Sequence, residues 1–125
     1  EKRMKLYNTL RGLILEVANR EEVRKAIQDR HLCSIYYEGD TTYSPGWRQV
    51  EPVALGLSKR NNPVVRAFQI EGASDTPDNL PGWRLFRLDR IRNWNPTLTT
   101  FDEPRANYNP NGDKSMNVVY INAKF

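Results

Sequence analysis

The chain has 125 residues, 38% hydrophobic and 27% charged, which suits one domain with a modest core and excludes a wholly disordered chain. Lys and Arg number 19 against 15 Asp and Glu, a formal charge of +4 whose use depends on where the arginines sit. One cysteine, Cys33, excludes a disulfide framework or a cysteine zinc site within one copy and fits a reducing compartment.

In chain order, Leu6, Leu10, Leu13, Ile14 and Val17 recur at steps of three and four, which predicts an amphipathic helix over Lys2–Val17. "NREE" follows. Asn19 can accept from the open amides of a helix start, and Glu22 stands where it can reach back. A second helix is therefore expected from Arg20 to about Arg30, burying Val23, Ala26 and Ile27. Its carboxylates lie at the N-terminal end and Arg30 at the other, as the helix dipole favours. His31 reads as a capping or exposed residue at the helix end, and Cys33 as a small buried hydrophobe.

Ile35, Tyr36 and Tyr37 favour a strand, and Glu38–Asp40 a turn. From Trp47 to Leu57 the residues alternate. Pro52 cannot donate to a ladder, so this strand is an edge there, bulged, or ending. Ser58–Pro63 is a polar turn, Val64–Ile70 a third strand, and Glu71–Gly82 a loop with Gly and Pro breakers. "GWRLFRLDRI", Gly82–Ile91, places Arg84, Arg87 and Arg90 three residues apart. That spacing suits a helical stripe or two strands with a bend. The strand phase breaks at Leu88–Asp89. Pro-Gly and Asn-Pro flanks only ~12 residues apart favour the strands, with Asn95–Pro96 closing the segment. Phe101–Lys114 is polar and reads as extended or mobile. Ser115–Phe125 alternates like a short strand that could pair with a neighbouring molecule. No apolar run approaches the ~18 residues of a membrane span and no signal peptide is visible, so a cytoplasmic location is expected.

These elements predict an α+β, mainly β fold: a small barrel led by helices, or an open sheet. The expected division is an N-terminal helix over 1–18, a barrel domain with its leading helix over 19–100, and an extended C-terminal arm over 101–125.

Tyr37 at the end of the first strand, "RQVEP" (Arg48–Pro52), "VVRAFQI" (Val64–Ile70) and "RLFRLDRI" (Arg84–Ile91) occur in that order. With them the chain resembles the WYL domain family, a module common in bacterial and phage regulators. The similarity runs over roughly residues 21–97, and "RLFRLDRI" after "RQVEP" is its specific part. Val64, Val65 and Arg66 stand where the family has its naming Trp-Tyr-Leu. The resemblance implies a five-stranded Sm-like (SH3-like) barrel after a helix. Trp83–Arg87 would be its fourth strand, Leu88–Asp89 the sharp connection, and Ile91 the start of the fifth.

Arg48, Arg66, Arg84, Arg87 and Arg90 are the functional candidates, because a guanidinium fork suits phosphate and stacks on bases. Tyr36, Tyr37, Trp47 and Trp83 could supply stacking faces. The resemblance implies a basic pocket at matching arginines. Arg84 and Arg90 match the motif best, with Arg48, Arg66 and Tyr37 beside them. Arg87 has Asp89 as an alternative, structural partner. The plainer reading is that all five are surface charges, paired by Asp89 and Glu51.

One His and one Cys assemble neither a metal cluster nor a nucleophile triad, and Glu38, Asp40, Asp75 and Asp78 lie in turns. No glycine-rich phosphate loop occurs. No catalytic residue, metal or cofactor is expected, and the chain does not read as an enzyme. The leading expectation is a regulatory binding module, in transcription or defence, holding single-stranded nucleic acid or a nucleotide in an arginine-rich groove. Such a module would be the regulatory half of a longer protein or a stand-alone domain. The alternative is a phage-type assembly protein, a homo-oligomer whose arm contacts neighbours around a barrel scaffold.

Overall fold

The structure is a computed structural model that describes residues 18–39 and 44–125. The helix expected over Lys2–Val17, and Asp40 of the first turn, lie outside the described residues. Helix α1 spans Arg20–Asp29 and starts with the expected capping box. Asn19 Oδ1 accepts from the Glu22 amide at 2.8 Å, and Glu22 Oε1 accepts from the Asn19 amide at 3.4 Å. Val23, Ala26 and Ile27 are buried.

Arg30 ends the helix in the left-handed region, φ 55°. Its guanidinium then reaches the far end of the chain. Nε donates to Phe101 O at 3.1 Å and Nη1 to Lys124 O at 2.8 Å. The Phe101 amide donates back to Arg30 O at 2.9 Å.

Six strands follow: β1 His31–Tyr37, β2 Gly46–Ser58, β3 Pro63–Gly72, β4 Gly82–Arg87, β5 Ile91–Thr100 and β6 Met116–Asn122. All ladders are antiparallel, in the order β4-β3-β2-β1-β5, with β6 also on β2. The fold is α+β and mainly β. Among the described residues there are six strands rather than five, and β4 and β5 make no ladder, so the sheet is not closed.

The sheet nevertheless curls. β4 and β5 sit at opposite ends of the strand order, yet only the 3-10 turn Leu88–Arg90 joins them. In a flat sheet β1 and β4 would be three spacings of about 4.8 Å apart. Here the Tyr37 and Phe86 rings meet edge to face at 4.8 Å. The Arg87 amide donates to Tyr37 Oη at 3.1 Å, and the Glu38 amide to Arg90 O at 2.9 Å. Groups at the β4–β5 bend are thus taken up by the end of β1.

β2 changes partner along its length. Gly46–Val50 pairs with β1, and Ala54–Ser58 pairs with β6. Pro52 falls between the two, where a bulge interrupts the β3 ladder between Pro52 and Ala54. A missing N–H is tolerated at such a place, and a bulge is the outcome of the three possibilities at Pro52. The strand near the C-terminus pairs within its own chain.

Two local expectations are corrected. β5 runs through Asn95–Pro96 to Thr100, because it is an edge strand and Pro96 faces Cys33 beside a register shift. His31 opens β1 rather than capping the helix. Cys33 is buried, and that burial pushes its thiol up to about 12. No helix among the described residues is long and apolar enough to cross a membrane.

Candidate anion-binding site

Direct cross-strand partners share a face of a sheet. By register, Cys33, Ile35, Arg48, Val50, Ala67, Gln69, Arg84 and Phe86 share the concave face, with Tyr37 at its edge. Arg48 is buried there, only 3% exposed. Its guanidinium lies 5.0 Å from the Tyr37 ring centroid and 5.6 Å from that of Phe86, a cation–π arrangement. It donates to Ser44 O and, at 3.5 Å, to Gln69 Oε1. Gln69 is itself buried and donates to Ala73 O at 2.8 Å.

Arg84 and Arg90 hold the neighbouring loops. Arg84 Nη1 donates to Trp83 O at 2.9 Å, and Nη2 to Ser74 Oγ and Thr76 Oγ1, both at 3.1 Å. Arg90 Nη1 donates to Gly39 O at 2.9 Å. These acceptors are all neutral. No carboxylate among the described residues stands within ion-pair distance of either guanidinium.

Arg87 pairs with Asp89 through two hydrogen bonds, Nε to Oδ1 at 3.1 Å and Nη2 to Oδ2 at 2.7 Å. The Arg87 hydrogen bonds hold Asp89 below the usual carboxylate range against its partial burial, and the charges of Arg87, Arg90 and Arg92 add to the effect. Arg92 in turn binds Glu38 at 2.6 Å.

Tyr37 and Arg48 pack together, Arg48 and Arg90 each hold the β1–β2 loop, Arg84 holds the β3–β4 loop at the start of β4, and Arg87 stands at the other end of that strand. Tyr36 and Trp47 face each other across β1 and β2 as an edge-to-face pair at 5.4 Å, with Trp47 half exposed. Arg66 lies elsewhere.

The opposite face of β2, β3 and β4 carries Glu51, Arg66, Phe68 and Trp83, and residues 105–113 cover it. Arg105 forks onto Glu51, with both contacts at 2.9 Å, and lies 4.8 Å from the Phe68 ring centroid. Trp83 Nε1 donates to Ala106 O at 2.9 Å. Arg66 forks onto Asp113 at 2.7 and 3.1 Å. Burial works against the Asp113 carboxylate, but hydrogen bonds from Arg66 and the Ser115 amide outweigh it and hold the carboxyl below its usual range. Glu51 thus pairs with Arg105, outside the five candidate arginines. Gln69, Arg105 and Asp113 were not singled out from the sequence. The Arg105–Glu51 and Arg66–Asp113 pairs span 54 and 47 residues, so no local pattern announces them. Among the described residues no group of His, Cys, Asp and Glu is placed to hold a metal ion.

Comparison with solved structures finds the proteasome accessory factor B/C (PafBC) of Arthrobacter aurescens, with a TM-score of 0.57 and 21% identity. The match covers 77% of this chain but 14% of that one, and it shows a shared fold. No curated protein matches the chain. The profile of the family described as WYL domain matches residues 18–96. With well over half of its residues matched, the chain belongs to the WYL domain family.

Proposed function

We propose that this WYL domain is a regulatory, non-enzymatic binding module whose ligand is a short single-stranded nucleic acid or a nucleotide. The ligand lies at the arginine-bearing end of the curled sheet. The observation that carries this reading is the pairing of Arg84 and Arg90 with neutral oxygens alone. Neutral acceptors orient a guanidinium without cancelling its charge. Arg90 uses Nη1 on Gly39 O, and its other donors have no partner among the described residues. Phosphate oxygens match such donors in charge and geometry.

Arg48, buried against the Tyr37 ring and bonded to Ser44 O, adds a further positive charge at the β1–β2 loop. The short tether between β4 and β5 supports reading the curled sheet as the Sm-like barrel of the family. The buried thiol of Cys33 fits a reducing, cytoplasmic setting.

Fluorescence anisotropy with labelled short single strands tests the proposal. Binding is expected at low salt, weakening linearly in the logarithm of salt concentration as counterions are released. An absence of binding at low salt to oligonucleotides and nucleotides alike overturns it.

A further inference from the structure

A second pocket lies on the other face, away from Arg84 and Arg90. The C-terminal segment around residues 107–114 arches over β2–β4 and forms one wall of a half-open cavity of about 270 Å³. Trp83 and Tyr108 line it, their rings 6.4 Å apart and 23° from parallel, together with Val53 and Ala54. Arg66, Asp113 and Lys114 supply its charge.

Size decides the class of occupant first. Ligand pockets run from about 300 to 1,000 Å³, so this cavity falls just below that range and suits only a very small occupant. It takes a molecule of one or two rings and excludes an oligonucleotide. Two aromatic walls favour a planar ring, which can pack face or edge against them. The charges decide the rest. Arg66 uses Nε and Nη2 on Asp113, which is one edge of its fork. Nη1 has no partner among the described residues, so the end of the fork can receive a second anion. Asp113 cancels one of the two cationic groups, and exposed Lys114 at the rim leaves the lining with one net positive charge.

We propose that this cavity is a second ligand site, taking a small planar aromatic monoanion. Its ring packs against Trp83 and Tyr108, and its carboxylate meets Arg66 Nη1 and Lys114 Nζ. The site does not depend on the oligonucleotide reading, because none of the loop-holding arginines lines it.

The test is an NMR titration of the whole chain with benzoate and indole-3-carboxylate, with neutral indole as the control. The Trp83 indole N–H, identified by its loss in Trp83→Phe, is followed. A saturable shift at low-millimolar concentrations is expected with both carboxylates. Neutral indole should bind roughly tenfold more weakly, as loss of a charge-assisted hydrogen bond implies. Lys114→Ala, an exposed substitution that leaves the fold intact, should weaken carboxylate binding severalfold, and Arg66→Ala more. Arg84→Ala should leave it unchanged. No saturable shift, equal affinity for indole, or indifference to Lys114→Ala overturns the proposal.

Discussion

The arginines of the two faces of this sheet make opposite use of the same side chain. On the covered face, Arg66 and Arg105 each fork onto one carboxylate, of Asp113 and Glu51, and so join the C-terminal segment to the sheet. At the loop end, Arg84 and Arg90 are oriented by carbonyls and hydroxyls. The first arrangement converts charge into attachment. The second retains charge and fixes its position, which is what recognition of an anion needs.

The largest expected effect probes the attached pair. Asp113→Ala strips the carboxylate from an Arg66 side chain that is only 22% exposed. It should lower stability by about 2–3 kcal/mol in urea denaturation, yet leave oligonucleotide binding intact. A variant that loses binding but keeps its stability would invert the contrast.

Arg90→Ala makes the converse experiment. Stability should change by less than about 1 kcal/mol, while affinity for a single strand falls roughly tenfold and the salt slope shrinks by about one. Equal affinity in wild type and variant would remove Arg90 from the site.

Acid distinguishes the faces too. The Asp113 carboxyl is held below its usual range in the fold. Its contribution is therefore fully present above its unfolded pKa of about 3.9, and is lost as pH falls through the lower folded value. Stability measured from about pH 6 to pH 3 should fall, and Asp113→Asn should flatten part of that fall. An unchanged slope in Asp113→Asn would deny the carboxylate its role. The smallest effect belongs to Arg87–Asp89, whose side chains are 38% and 58% exposed. Asp89→Ala should cost no more than about 1 kcal/mol, and a larger loss would move this pair into the structural class.

How far the sequence revealed all this depended on the range of the interaction. The capping box at Asn19 and Glu22 was readable because its two halves lie three residues apart. The strand, bend and strand through Arg84, Arg87 and Arg90 was readable because alternation fails at Leu88–Asp89, where the 3-10 turn forms. Pro52 signalled an interruption, but not that β2 exchanges β1 for β6 there. That exchange depends on a strand more than 60 residues away. Nothing in the sequence marked Gln69 as buried. Its burial follows from the curl that brings Tyr37 and Phe86 together, which strand periodicity does not encode. The family motif pointed to Arg84 and Arg90 as candidates, whereas the separation of Arg66 from them needed the register and the covering segment.

Arg30 has a consequence for how the molecule opens. One guanidinium grips Phe101 O and Lys124 O, so both ends of the C-terminal segment converge on the C-terminus of α1. A segment tied at both ends to one point opens as a unit rather than fraying from its tip. In hydrogen exchange the amides of β6 should accordingly share one opening free energy. Losing Arg30 should release them together, while the amides between β1 and β2 keep their protection.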